Sequence, residues 1–348
     1  MYKKIIRPIL FLFNPELIHN LVSKIIILIQ KIPLLSGLIG KIFIYNDPRL
    51  NKKVMGISFK NPVGVAAGFD KNGVMIDGLA TFGFGFIEIG TVTPRPQPGN
   101  PLPRLFRLKK DNALINKMGF NNAGVDAVSR SLKKRKSNII VGGNIGKNKN
   151  TPNNEAVNDY LKGFDSLNDL VDYFVINVSS PNTPGLRELQ EKEPLLRILN
   201  SIQEVNQRKG GKPILVKIAP DLSNEQLDDI IDIVINVKLS GIVATNTTIT
   251  RNQLLSDPQL INKAGNGGLS GMPLFRRSVE VVSYLRGKLG HDYVIIGVGG
   301  IMNSENAKIM IEAGADLIQL YTGFIYQGPG IAKRINKELV KYIRIQDN

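Results

Sequence analysis

The chain has 348 residues, 43% hydrophobic and 21% charged, with a formal net charge of +16 from 45 Lys and Arg against 29 Asp and Glu. That balance excludes a disordered chain and allows one large domain with an appendage, or two small ones. There is no cysteine and there are only two histidines, His19 and His291, which excludes disulfides, thiolate nucleophiles, Cys-ligated zinc and Cys-held iron–sulfur clusters.

A Ser-His-Asp triad would need one of the two histidines, and neither sits in a motif-bearing strand end. Redox or acid–base chemistry must then use a bound cofactor, Lys, Ser, Thr, Asn or carboxylates. The positive charge suits phosphates, acidic substrates, nucleic acid or anionic lipid, and it equally suits a lysine-rich surface with no partner. No nucleic-acid motif is present, and the cluster 133–136 reads as a solvated helix end.

Residues 1–45 carry Lys3, Lys4, Arg7, Lys24, Lys31 and Lys41 against the single acid Glu16. From Asn14 to Lys31 most polar residues recur on one side of a helix, opposite Leu17, Leu21, Ile25, Leu28 and Ile29. Pro33 interrupts, and Leu34, Leu35, Leu38, Ile39, Ile42 and Phe43 resume the three-to-four spacing. Two short amphipathic helices joined at a proline are expected. No run reaches about 18 uncharged apolar residues, so a spanning helix is not expected. A signal peptide also fits poorly, because Pro15, Glu16 and His19 break the apolar run. A basic helical pair with excess apolar surface could dock into one leaflet, or it could be a cap packed on the protein's own core. On pattern alone the packed cap has a slight edge.

Beyond residue 60 short apolar runs alternate with helical stretches. The runs are 63–67, 86–91, 139–144, 174–178, 214–218, 241–245, 294–298 and 317–321, with helices such as 224–237 and 304–313 between them. Continuous apolar strands alternating with helices imply a parallel sheet covered on both faces. Eight such units predict an α/β fold of the (β/α)8 TIM-barrel kind. A doubly wound sheet is the rival, disfavoured because no G-x-G-x-x-G opens a helix after the first strand.

In a barrel, chemistry collects at the C-terminal ends of strands. Those ends carry Ala67 to Lys71, Thr91, Asn144, Asn177 to Asn182, Lys217, Thr245 to Thr247, Gly299-Gly300 and Tyr321-Thr322. Amides, hydroxyls and two lysines at successive strand ends suit a flat heterocycle. A flavin needs donors to its pyrimidine edge, a cation near N1 and O2 and a phosphate cradle. Lys217 could be that cation, or a solvated rim lysine. The loops 267–271 and 299–300 could cradle a phosphate, or be ordinary glycine turns. Asn116, Asn177, Asn182 and Asn246 could converge on one mouth, with Lys71 adding charge toward a carboxylate. Ser180 could serve as a base if proton removal is concerted with hydride departure or relayed by water. Taken alone, its segment reads more readily as a Ser-Pro turn.

Together the segments 66–73 (AAGFDKNG), 88–108 (EIGTVTPRPQPGNPLPRLFRL), 116–122 (NKMGFNN), 144–147 (NIGK), 177–184 (NVSSPNTP), 216–221 (VKIAPD), 244–248 (ATNTT), 267–271 (GGLSG) and 297–301 (GVGGI) resemble the dihydroorotate dehydrogenase family, specifically its membrane-associated class 2. The resemblance spans nearly the whole chain. It implies FMN as cofactor and oxidation of dihydroorotate to orotate in pyrimidine synthesis, with a base removing the C5 proton and hydride passing from C6 to flavin N5. Class 1 members use a cysteine base and class 2 a serine, and Ser180 occupies that position in a chain without cysteine.

The resemblance assigns catalysis to Ser180, with Thr183 and Phe120 flanking a proton-relay water. It assigns FMN contacts to Ala67, Gly68, Phe69, Asp70, Lys71, Thr91, Asn144, Asn177, Lys217, Thr245, Gly271, Gly300, Tyr321 and Thr322. Orotate is expected at Lys71, Asn116, Lys117, Met118, Gly119, Phe120, Asn177, Asn182, Asn246 and Thr247. Class 2 members reoxidise FMN with a membrane quinone that passes between two N-terminal helices, and His19, Arg107 and Tyr321 match the inner end of that tunnel. The likeness therefore reverses the preference for a packed cap. It divides the chain into a helical extension, 1–45, for membrane association and quinone access, and an FMN barrel, 46–348. A monomer lying peripherally on the cytoplasmic side of the cell membrane is expected, with no bound metal and no nucleic-acid partner. Another FMN barrel, using NAD(P)H on a different pyrimidine or enoate, is the alternative.

Overall fold

The computed structural model describes residues 1–346. The chain opens with a short helical segment, Tyr2–Ile6 running into α1 (Arg7–Leu10), followed by α2 (Pro15–Lys31) and α3 (Pro33–Phe43). Asn14 starts α2 by accepting the Glu16 and Leu17 amides on its side chain, and Pro15 occupies the first turn, where no amide is needed. Pro33 holds Ile32 extended and ends the helix.

The strands follow as β1 (Lys52–Val54), β2 (Ile57–Phe59), β3 (Val63–Val65), β4 (Phe86–Val92), β5 (Leu105–Leu108), β6 (Ala113–Asn116) and β7 (Ile140–Ile145). Then come β8 (Tyr173–Asn177), β9 (Ile214–Ile218), β10 (Gly241–Ala244), β11 (Gly268–Gly271), β12 (Val294–Val298) and β13 (Leu317–Leu320). Strands β3, β4, β7, β8, β9, β10, β12 and β13 close a parallel barrel in that order, β13 pairing back onto β3. All eight apolar runs of the sequence are barrel strands, with ends displaced by two residues at most. The fold is the expected TIM barrel.

The helices between strands bury one stripe each. Asn224–Asn236 begins at a reciprocal Ser223–Gln226 capping box and buries Leu227, Ile230, Ile231 and Val234 at helical spacing. Along the strands alternate side chains go to opposite faces. Ile214, Val216 and Ile218 of β9 join the core between barrel and helices, whereas Leu215 packs inside with Phe86, Tyr173, Val243, Ile296 and Leu317. This inner apolar plug fills the lower barrel. Phe86 fills the space beside Gly64, where a Cβ would stand 2.4 Å from the ring. Above it, the next inward positions are polar.

Two features were not legible in the sequence. Strands β5, β6 and β11 form a separate antiparallel sheet with β6 in the middle, so the segment 267–271 is partly a strand and not only a glycine loop. The helical start at Tyr2–Leu10 also went unread. It docks through Tyr2 Oη to the Ile325 carbonyl at 2.6 Å and through Phe11 edge-on to Tyr326 at 5.1 Å.

The N-terminal helices are apolar on two sides, one packed and one exposed. Helix α2 buries Ile18, Ile26 and Ile29 against the barrel, and Gly78 lets it approach so closely that a Cβ there would sit 2.5 Å from Ile26. Gln30 pins it by donating to the Val74 carbonyl and accepting the Gly78 amide. Yet Leu17, Leu21, Ile25 and Leu28 stay exposed on its other side, as do Leu34, Leu38 and Ile42 of α3. Among the described residues no single helix is long and apolar enough to cross a membrane.

Candidate active site

The C-terminal ends of the barrel strands open into a cleft of about 1000 Å³, its solvent-open mouth included. Its floor is a polar network inside the barrel. Glu88 of β4 accepts from Asn144 Nδ2 at 2.8 Å, from Lys217 Nζ at 3.2 Å and from Gln319 Nε2 at 2.5 Å. These donors lie on β7, β9 and β13, and two of those strands do not neighbour β4, so the contacts run across the interior. Asn144 Oδ1 accepts in turn from Thr91 Oγ1 at 2.5 Å and Asn177 Nδ2 at 3.2 Å. Every member is buried. The network persists because each buried charge or amide finds a partner, without which burial would cost several kcal/mol per ion.

The loop after β8 supplies the next layer. Ser180 lines the cleft and is 6% exposed, and its Oγ accepts the Asn182 amide at 3.3 Å. Asn182 Nδ2 donates to Asn116 Oδ1 at 2.9 Å, tying the loop to the end of β6. Asn246 donates to Ser179 Oγ at 3.0 Å. Thr183 is buried, and its Oγ1 has no hydrogen-bond partner. Phe120 sits at φ 54° and lines the same cleft.

Lys71 lines the cleft as well. Burial, and then the Arg104 charge, pull its ammonium down to about 8, against smaller pulls upward from Glu16 and Asp70. On the glycine side, Gly271 and Gly300 have φ of 100° and 71°, and a Cβ would stand 2.4 Å from the Asn112 carbonyl oxygen at one and 2.5 Å from Phe275 at the other. Only glycine fits these turns.

Most residues singled out in the sequence meet here. Ala67, Gly68, Lys71, Thr91, Asn177, Lys217, Thr245, Gly271, Gly300, Tyr321 and Thr322 line the cleft. So do Asn116, Met118, Gly119, Phe120, Ser180, Asn182, Asn246 and Thr247. Asn144 lies beneath, one hydrogen bond away. The side chains of Phe69, Asp70 and Lys117 turn elsewhere. Asp70 accepts the Val74 and Met75 amides, and Lys117 Nζ lies 5.2 Å from the Phe106 ring centre.

Phe69 instead joins the N-terminal helices to the site. Its ring meets His19 edge-on at 5.5 Å and Tyr321 at 5.7 Å. Burial, and secondly the Lys71 charge, hold His19 down at about 3. Burial raises Tyr321 to about 12. Arg107 contacts the start of the chain: it donates to the Phe13 carbonyl at 2.6 Å and lies 4.5 Å over the Phe11 ring. Phe11 and Tyr321 pack on the same small cluster of Leu114, Met302 and Tyr326. A second link is ionic: Arg104 donates to Glu16 of α2 at 2.7 Å and to the Asn100 carbonyl at 3.0 Å, and Asn100 donates to the Asn182 carbonyl at 3.0 Å.

Sequence reasoning missed Phe11, Glu88 and Gln319. The latter two carried a signal, since each is the one long polar side chain inside a buried, otherwise apolar strand. Phe11 carried none, because its partner Tyr326 lies 315 residues further along the chain.

Residues 49–343 match the family model described as Dihydroorotate dehydrogenase. The chain is 55% identical over 342 residues to a dihydroorotate dehydrogenase (quinone) of Christiangramia forsetii, covering 98% of this chain and 99% of the relative. It is 48% identical over 338 residues to the enzyme of the same name from Corynebacterium diphtheriae, covering 97% and 92%. Among solved structures it is similar to an Eimeria tenella DHODH in complex with ferulenol, at a TM-score of 0.83 and 37% identity over 96% of this chain and 92% of that one.

Proposed function

The chain belongs to the dihydroorotate dehydrogenase family, in its quinone-linked class 2, and from that premise we propose that it oxidises dihydroorotate to orotate at the barrel mouth with FMN bound and a membrane quinone as final acceptor. The observation that carries the reading is the single cleft onto which Ser180, Lys71, Lys217 and the amides of Asn116, Asn177, Asn182 and Asn246 converge. The donor set suits FMN: Lys217 and buried amides offer a polar floor for a pyrimidine edge, and Gly271 and Gly300 leave the backbone bare where a phosphate would approach. Ala67 to Lys71, Thr91, Asn144, Asn177, Lys217, Thr245, Gly271, Gly300, Tyr321 and Thr322 would hold it. FMN, when bound, supplies the acceptor for the C6 hydride and hands the electron pair to quinone.

The protein's own residues do the rest. Lys71 pairs with the substrate carboxylate, and Asn116, Asn182 and Asn246 grip its ring amides. Ser180 Oγ takes the proton from C5 as the C5–C6 double bond forms and gives up its own hydroxyl proton, which a water and Thr183 carry away to solvent. Ser180 is a weak base in water, so the step depends on hydride departing in the same event or on the water relay. Phe120 covers that position and excludes bulk solvent.

Residues 1–45 would form the membrane-facing extension, 46–348 the flavin barrel. Quinone would reach Tyr321 past His19 and Arg107, with the exposed leucines and isoleucines of α2 and α3 set into one leaflet. The protein would then be a monomer peripheral to the cytoplasmic face of the cell membrane. Anaerobic addition of dihydroorotate should bleach the yellow protein, and a quinone in vesicles should restore the colour. Rapid bleaching by NADPH and none by dihydroorotate would sink the reading and favour a different flavin barrel.

A further inference from the structure

Glu88 has no part in the steps above, yet the cleft floor is built on it. It lies in the middle of β4, fully buried, where an unpaired carboxylate is strongly disfavoured. Three donors from three other strands meet on its two oxygens: Asn144 at 2.8 Å, Lys217 at 3.2 Å and Gln319 at 2.5 Å. Lys217 and Gln319 line the cleft. Asn144 passes the constraint on, since its Oδ1 accepts from Thr91 and Asn177, which line it too. Removing one carboxylate would therefore loosen five positions of the floor while touching none of the ligand contacts directly.

We propose that Glu88 is a positioning residue that holds Lys217, Asn144 and Gln319 under the flavin's pyrimidine edge and sets the electric field found there. The inference rests on the flavin reading of the cleft. Its electrostatic content follows from charge balance. Lys217 and Glu88 cancel, so the floor is close to neutral overall. Two-electron reduction adds negative charge at the pyrimidine edge, which Lys217 favours and Glu88 opposes. Removing the Glu88 charge leaves the ammonium unopposed and makes reduction easier. Tyr173 is packed here too, and burial and the Glu88 charge push its phenol well above its ordinary value, so it stays neutral.

Glu88→Gln isolates the charge, because shape and volume are kept. Gln319 Oε1 has no partner in the native barrel and can turn to accept from the new amide. Glu88→Asp isolates position: the charge stays but withdraws by one methylene. Both are purified as holoenzymes, and the flavin midpoint potential, the FMN dissociation constant and the KM for dihydroorotate are measured. In Glu88→Gln the potential should shift positive, FMN should dissociate about tenfold more readily, and any rise in KM passed on through Asn177 should be smaller than the loss of FMN affinity. In Glu88→Asp the flavin should loosen similarly while the potential stays near the wild-type value. A Glu88→Gln potential equal to or below wild type, or wild-type FMN retention in both variants, would overturn the assignment. If Glu88→Gln fails to fold, flavin retention in Glu88→Asp decides alone. Wild-type protein that binds no flavin would instead sink the proposed function, a distinguishable result.

Discussion

Strand β8 hides every side chain from Tyr173 to Asn177, whereas α2 shows a leucine or isoleucine at each of positions 17, 21, 25 and 28. The two regions follow opposite rules. In the barrel polar groups are few and buried, and those of the Glu88 network are tied to one another by hydrogen bonds. In the N-terminal pair apolar groups are many and half of them face outward, with Leu34 86% exposed. The first arrangement suits chemistry that needs fixed donors. The second leaves unspent apolar surface, about 1 kcal/mol for each half-exposed leucine that finds a nonpolar phase, on helices that also expose Lys24, Lys31 and Lys41. On the proposed reading, one chain keeps its substrate reaction and its acceptor reaction in separate modules joined by narrow contacts, here His19–Phe69–Tyr321 and Glu16–Arg104.

The comparison breaks most sharply by cutting the modules apart. Deleting residues 1–44 should abolish vesicle binding and quinone reduction, while dihydroorotate still bleaches the flavin. Loss of both half-reactions would mean the helices are structural supports for the barrel. A smaller effect should come from pH on the barrel side alone. Lys71 is held at about 8, so its cationic form dominates below that pH and fades above it. KM for dihydroorotate should therefore climb about tenfold per pH unit above pH 8, and Lys71→Arg, which stays charged, should flatten the climb. A KM that is flat to pH 10 in the wild type removes Lys71 from carboxylate binding.

Acid should act on the other module. His19 is held at about 3 when α2 is docked and would return toward 6.5 when it is released. The folded value is depressed, so docking is fully supported above pH 6.5 and weakens as pH falls toward 3, by about 1 kcal/mol at pH 5.5. Quinone reduction should decline over that window in the wild type and not in His19→Gln, with flavin bleaching as the internal control. Smallest of all should be Glu16→Gln. The Glu16–Arg104 pair is 15% and 12% exposed at its side chains, and its loss should lower thermal stability by about 1 to 2 kcal/mol. If KM for dihydroorotate rises as well, the path through Asn100 to Asn182 couples the modules.

How much of this could be read from sequence divides along the same line. The barrel strands announced themselves because each is a short run buried on both faces, and their polar C-terminal ends marked the mouth. Ser180, Asn182 and Asn246 could be named from their positions but not joined, since the hydrogen bonds that bring Asn182 to Asn116 and Asn246 to Ser179 span 66 and 67 residues. Antiparallel β5, β6 and β11 escaped notice because Gly268 and Gly271 resemble turn residues, and β6 supplies their pairing. The orientation of α2 was undecidable from periodicity: Ile18, Ile26 and Ile29 face the barrel and Leu17, Leu21 and Leu28 face away, so the helix is apolar on both sides. Which apolar face is buried depends on Gly78 and Gln30 contacts far along the chain.

The central claim is that Ser180 takes the C5 proton inside a barrel mouth built to hold flavin and substrate rigidly. Anaerobic stopped-flow reduction of the bound flavin by dihydroorotate, compared between wild type and Ser180→Ala, tests it most directly. The account predicts full flavin content, wild-type substrate affinity and a rate of flavin reduction lower by about 100-fold or more in the variant. Flavin reduction at the wild-type rate in Ser180→Ala would contradict it.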